Sequence, residues 1–232
     1  LEPQYTNSFE INYTRGTKIG SITSGVFYRR ISDEISRVVF VDPNNPNRTI
    51  LSYDNFDNND AFGFETSGNL KFTKWWSVNA SADVYFKTVK GTVQNGETGD
   101  FENAAVDVTN FNARLNNNFT ATENLRFQLF GMYRGQDLSL QYTRKPMYKM
   151  DFGATYNVLK GKGTITARLN DVFENMRFAF DGDVPYRQYG AFYWESQTFY
   201  IGFNYMFGGG KNRALQRKQR DANETQGGGG MF

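Results

Sequence analysis

The chain has 232 residues, a net charge of +2 and a mean hydropathy of -0.62. It contains no Cys and no His, which excludes disulfides, thiolate metal sites and the commonest general base. No apolar run reaches the ~18 residues of a transmembrane helix, and the charge gives no argument for nucleic-acid binding. A transmembrane β-barrel stays compatible with this hydropathy, because half of each of its strands is polar.

Apolar and polar residues alternate through most of the chain, which predicts strands. The first runs over about 5–14, with Phe9, Ile11 and Tyr13 on one side. Further strands are predicted at about 19–31, 62–72, 76–86, 108–119, 125–134, 148–158, 164–170 and 198–207. The last strand has Phe199, Ile201, Phe203, Tyr205 and Phe207 on one side, and Thr198, Tyr200, Gly202, Asn204 and Met206 on the other. Such a strand fits between lipid and a watery lumen.

Short turns alternate with long polar segments. The turns lie at about 15–18, 73–75, 120–124 and 160–163, and the predicted loops at about 32–59, 87–103, 135–146 and 174–189. Aromatic residues stand beside the turns: Tyr13, Phe72, Trp75, Trp76, Phe119, Tyr156 and Phe207. Short periplasmic turns, long extracellular loops and an aromatic girdle are typical of outer-membrane barrels.

The prediction is an all-β, antiparallel transmembrane barrel over residues 1–207. About nine strands, an odd number, do not close as an ordinary single-chain bacterial barrel, which indicates part of a larger one. Residues 208–232 are rich in Gly and Arg and predict a disordered periplasmic tail. A soluble β-sandwich is the alternative, but strands of ~10 residues exceed the usual ~5–6 and favour the barrel.

Three segments carry a resemblance to a known family. They are LEPQYTNSFEINY at 1–13, ITARLNDVF at 165–173 and YIGFNYMF at 200–207. Residues 1–207 resemble the carboxy-terminal barrel portion of TonB-dependent outer-membrane receptors of the type common in Bacteroidetes. Two positions depart from the family pattern. Gln4 replaces an acid in the first segment, and Asp171 is inserted or substituted in the second.

The resemblance implies a 22-strand barrel with an amino-terminal plug, which imports an unidentified solute across the outer membrane of a Gram-negative bacterium. Its implied partners are outer-membrane lipid, the barrel-assembly machinery, and TonB through an amino-terminal part absent from this sequence. No cofactor is implied. Tyr200, Gly202, Tyr205 and Phe207 resemble the β-signal that the assembly machinery recognises. This signal lies 25 residues before the end of the chain, rather than at a terminal Phe.

The polar sides of the strands carry several cations. Arg114, Arg126, Arg134, Lys149 and Arg168 are candidate ligand-facing residues, and Arg29 and Lys71 share their side. One interpretation is a basic track for an anionic ligand. Glu10, Glu65, Asp83 and Asp151 are on the same side, so charge pairing between neighbouring strands is the more economical explanation.

Two further clusters are candidate binding sites. Asp54, Asp57, Asn59, Asp60 and Glu65 suggest calcium, but their spacing does not match an EF-hand and a solvated loop is the default. Stacking on a sugar or aromatic ligand is one interpretation of Tyr186, Tyr189, Phe192, Tyr193 and Trp194, and interfacial anchoring is the default. No Ser–Lys arrangement replaces the missing His and Cys, so no enzyme and no catalytic, metal or cofactor site is predicted.

A second hypothesis comes from another class of function. The odd strand count and the signal strand also suit a nascent barrel engaged by the assembly machinery. They equally suit a receptor-like scaffold subunit of an outer-membrane complex.

Overall fold

The computed structural model describes residues 1–42, 44–96 and 98–207. The predicted tail at 208–232 lies outside this part of the chain. The strands are β1 (Tyr5–Thr17), β2 (Gly20–Asp42), β3 (Asn45–Lys71), β4 (Trp76–Gln94), β5 (Phe101–Thr120), β6 (Leu125–Arg134), β7 (Asp137–Leu138), β8 (Thr143–Arg144), β9 (Met147–Val158), β10 (Gly163–Asn170), β11 (Arg177–Gly182), β12 (Gln188–Tyr193) and β13 (Thr198–Tyr205). A short 3-10 turn, Leu159–Gly161, joins β9 to β10.

Nine strands form one antiparallel sheet in the order β1-β2-β3-β4-β5-β6-β9-β10-β13. This confirms the predicted all-β fold with nine strands. A second sheet has the order β12-β11-β8-β7. In the described ranges no helix is long and apolar enough to cross a membrane.

One side of the large sheet is apolar and faces away from the protein. A row across five neighbouring strands shows this, and its members are Ile11, Val26, Phe64, Val84 and Phe111. Ile11 is 75% exposed and Val26 is 53% exposed, although both are large and apolar. A continuous apolar surface of this kind is typical of contact with lipid.

The apolar band has an upper and a lower limit. On the same side, a polar row crosses five strands at Asn7, Arg30, Asp60, Thr88 and Asp107. At the turn end, the rings of Phe72, Trp75, Trp76 and Phe119 contact one another at 4.7–6.2 Å. Residues 60–71 of β3 cover about 36 Å along the strand, or about 28 Å at a tilt of about 40°. This height matches the ~25 Å apolar band of outer-membrane barrels.

The first two predicted loops are wrong. Residues 32–59 and 87–103 belong mostly to β2, β3, β4 and β5, which continue well past the polar row as paired hairpins. They stay ordered because they pack a core of their own, in which Val38, Phe56, Val89, Val93 and Leu140 are at most 8% exposed. The acidic calcium candidates therefore lie in strand β3 and not in a loop. Among the described residues, no group of three or more possible ligands could hold a metal ion.

The third and fourth predicted loops contain sheet structure as well. Residues 135–146 include β7 and β8, and residues 174–189 include β11 and the start of β12. β8 pairs with β11 through Arg144 opposite Phe180 and Thr143 opposite Asp181. Long-range pairing between two connections, which local sequence does not encode, converts them into the second sheet.

Candidate functional site

The polar side of the nine-stranded sheet is the luminal wall. It carries two shallow cavities of about 260 and 270 Å³. Gln128, Asp151, Arg168 and Asn170 line the first, and Arg114 lines the second among Ser and Asn side chains. Phe130 borders both cavities, as an aromatic residue on an otherwise polar surface.

The five candidate ligand-facing cations do not form one cluster. Arg114 and Lys149 lie in one cross-strand row, joined through Met132, and Arg134 is one step further out. Arg126 and Arg168 lie near the turn end of the wall. Arg134 lies eight positions after Arg126 on β6, which is about 26 Å along the strand. The predicted track is thus two groups at different heights.

Two of the cations that the sequence places on the luminal wall, Lys149 and Arg29, are paired. The Nζ of Lys149 lies 2.9 Å from Oδ2 of Asp151 and 5.5 Å from the centre of the Phe130 ring. Arg29 Nη2 lies 3.6 Å from Oε1 of Glu10. In the described ranges, the guanidinium groups of Arg114, Arg126, Arg134 and Arg168 form no ion pair. Charge pairing therefore explains only part of the basic surface.

The connection between β6 and β9 folds inward and packs on the luminal side of the outer hairpins. Leu140 enters their hydrophobic core. The Gln141 amide donates from Nε2 to the Val39 carbonyl and accepts from the Val39 N–H, both at 2.8 Å. Lys87 Nζ forms an ion pair with Asp137 Oδ1 at 2.7 Å. This connection is therefore anchored to the luminal side of the outer hairpins at three places.

Arg144 is a residue that sequence reasoning missed. It is 7% exposed and donates from Nη2 to the Gly135 carbonyl at 2.7 Å and from Nη1 to the Lys145 carbonyl at 3.3 Å. Burial, and then the nearby charge of Arg134, lower the pKa of Arg144. No local signal identifies it, because its burial depends on the inward fold of the whole connection.

The four residues of the candidate β-signal lie on or beside β13. Tyr200 faces the lumen opposite Arg168, and Gly202 is opposite Thr166. A Cβ at Gly202 would contact the Tyr200 hydroxyl, so the glycine leaves room for this ring along the strand. Tyr205 lies opposite Gly163 and contacts Phe207 edge-on at 4.6 Å. Their role in assembly stays a prediction.

The candidate stacking aromatics lie in or beside the second sheet. Phe192 contacts Phe178 and Phe180 on β11 at 6.1 and 6.3 Å. Tyr189 is 85% exposed on the other side of β12, where Tyr193 contacts the Arg177 guanidinium at 6.0 Å. The structure thus divides these residues between a ring cluster and an exposed face.

Asp171 lies at the base of the connection between β10 and β13, which we call the neck of this connection. Its carboxylate accepts hydrogen bonds from the N–H groups of Asn175 and Met176 and from the Ser196 hydroxyl, at 3.1, 2.8 and 2.6 Å. Its own N–H donates to Asp151 Oδ1 at 2.8 Å. The residue that departs from the family pattern therefore joins the exit of β10 to the entrance of β13.

An antiparallel wall with an apolar outer band, an aromatic lower edge and a polar luminal side defines an outer-membrane β-barrel protein. A profile described as "Outer membrane protein beta-barrel family" matches residues 1–205. The chain belongs to this family and is located in the outer membrane. Among curated proteins, no sequence matches it.

Two solved structures are similar to this chain. Both are the ferric-catecholate import receptor Fiu of E. coli K12, in a closed form with 14% identity and a TM-score of 0.46, and in an open form with 16% identity and a TM-score of 0.43. Each similarity covers 89% of this chain, and 36% and 39% of the receptor chains. The chain therefore spans less than two fifths of their length.

Proposed function

We propose that this chain is part of the barrel wall of a TonB-dependent receptor that takes up a solute across the outer membrane. The supporting observation is the direction of its edge strands. β1 and β13 both run from the outer end to the turn end, so they cannot pair with each other antiparallel. Antiparallel closure needs an odd number of further strands, and thirteen would complete a 22-strand barrel, whose lumen holds a plug.

In this proposal the chain performs no covalent chemistry. The outer hairpins and the inward connection contact the solute first, and the polar luminal wall holds the plug. TonB, acting through the plug, then releases the solute to the periplasm. The guanidinium groups on the wall that form no ion pair can donate hydrogen bonds to a polar solute or to the plug.

TonB capture by the full-length protein tests the proposal without knowledge of the solute. The full-length protein in detergent micelles is mixed with the purified periplasmic domain of TonB, and co-elution is measured. We expect capture that disappears when the TonB box is deleted. A full-length protein with no plug or TonB box, or with no capture, would overturn the proposal.

A structural role in assembly is the second candidate, and the outer edge of β13, which pairs with no other strand in the described ranges, favours it. β13 pairs with β10 on one side, and its residues on both faces are largely exposed. An unpaired edge in lipid needs a partner. Crosslinks from position 203 or 205 to the assembly barrel at steady state would support this role. Recovery only as closed, heat-modifiable barrels would contradict it.

A further inference from the structure

Two arginines adjoin the Gly135 peptide at the outer end of the luminal wall, one through its side chain and the other as the preceding residue in the chain. Arg144 donates from Nη2 to the Gly135 carbonyl at 2.7 Å. Arg134 is the preceding residue and lies opposite Asn112, whose Oδ1 accepts the Gly135 N–H at 3.3 Å. Arg134 is exposed on the luminal side, whereas Arg144 is only 7% exposed.

The surrounding carboxylates are already engaged. Asp137 is the register partner of Arg144, but its Oδ1 lies 2.7 Å from Nζ of Lys87. Asp83 accepts a hydrogen bond from Nδ2 of Asn112 at 2.8 Å. The positive charges of Lys87, Arg134 and Arg144 therefore outnumber the negative charges of Asp83 and Asp137. A largely buried cation without a carboxylate of its own is unfavourable, and a second cation beside it adds repulsion.

The backbone below the two arginines is held tightly. The Gly135 N–H donates to the Phe111 carbonyl at 2.9 Å, and Asn110 Nδ2 donates to the Gln136 carbonyl at 2.7 Å. A Cβ at Gly135 would lie 2.6 Å from the Phe111 oxygen, so only glycine fits. The fixed backbone holds both residues in place without a ligand, which lowers the entropy cost of binding one.

We propose that Arg134 and Arg144 bind the carboxylate or phosphate group of a small anionic solute that enters from outside. Planar guanidinium groups donate paired hydrogen bonds to both kinds of oxyanion, and the excess positive charge attracts them. This site rests on the proposed uptake function and deepens it, since it names the chemical class of the solute.

Calorimetric titration of the full-length protein in detergent micelles tests the site. Citrate and inorganic phosphate serve as probes at low ionic strength, and chloride gives the background. We expect saturable binding of at least one probe, weakened about tenfold or more by Arg134→Gln. Arg134→Lys should weaken binding to an intermediate extent, because lysine keeps the positive charge but lacks the paired N–H donors of a guanidinium. Arg48→Gln, an exposed arginine at the tip of the β2–β3 hairpin, is the matched control and should bind as the wild type does.

We use Arg134→Gln as the test variant. Arg144→Gln would also remove hydrogen bonds to the Gly135 and Lys145 carbonyls, so it would change the local fold as well as the charge. No saturable binding of either probe to the wild type would overturn the proposal, as would equal losses in Arg134→Gln and Arg48→Gln. TonB capture is measured on the same preparations. Capture without anion binding refutes this site alone, and anion binding without capture refutes the uptake function alone.

Discussion

The Ser196 hydroxyl donates a hydrogen bond of 2.6 Å to the Asp171 carboxylate, and this contact spans 25 residues of sequence. It joins the end of β10 to the start of β13, where Asn170 Nδ2 also donates to the Thr198 hydroxyl at 2.8 Å. The whole connection between these strands is therefore closed at its base. The register of the last strand depends on this closure.

Asp171→Asn should destabilise the last hairpin. An amide retains one acceptor oxygen and brings its NH₂ against an N–H or hydroxyl donor that the carboxylate had accepted. We expect the free energy of unfolding to fall by about 1–3 kcal/mol. On gels, the folded form should then disappear at a lower heating temperature. Asp183→Asn, an exposed acid in the same connection, is the control. Equal shifts for the two variants would show that Asp171 does not hold the neck.

Gln141→Glu should release the inward connection from β2. The substitution removes the Nε2 donor and places a carboxylate oxygen against the Val39 carbonyl. Faster amide exchange at 135–146 is expected, and Gln136→Glu, which is exposed, should leave it unchanged. Unchanged exchange in Gln141→Glu would mean that the other contacts, Leu140 in the core and the Lys87–Asp137 ion pair, hold the connection without Gln141.

Trp76→Phe should destabilise the barrel through Asn117. The Trp76 indole N–H donates to Oδ1 of Asn117 at 3.1 Å, on the lipid-facing side. Without this donor, a polar oxygen is left unpaired in a site only 8% exposed, at a cost of about 1–3 kcal/mol. Urea unfolding in lipid vesicles measures the change. In the Trp76→Phe background, Asn117→Leu should restore most of the lost stability, because it removes the unpaired oxygen. If the destabilisation persists in the double variant, the missing indole ring and not the hydrogen bond is its cause.

Phe56→Ala should unfold the outer hairpins and leave the membrane wall intact. Phe56 is 2% exposed in the extracellular core, and truncation of such a side chain costs about 3–5 kcal/mol. Proteolysis beyond the polar row should increase, whereas heat modifiability persists. Leu51→Ala in the same strand is the control, because Leu51 is 61% exposed. Loss of the whole barrel in Phe56→Ala would show that the outer hairpins and the membrane wall unfold together.

The nine strands were predictable because lipid imposes a regular outward alternation on each of them. The hairpins beyond the membrane were not, since residues such as Val38 and Phe56 face a local protein core instead. Their Asn- and Asp-rich sequences suggest turns, yet Asn55 uses its amide to bind the backbone of Glu2 and Asp33. Arg144 and Gln141 were hidden for a related reason. Gln141 meets Val39 across 102 residues, and no local pattern contains that contact.

The hairpins beyond the polar row also determine what an intact cell displays. Residues 45–59 of β3 extend about 46 Å along the strand past the membrane band, and Leu51 and Tyr53 are exposed on them. An antibody or phage that approaches from the medium meets a pleated surface with fixed side-chain spacing. Recognition of this surface depends on fold, so antibodies raised against whole cells should lose binding once the hairpins are denatured.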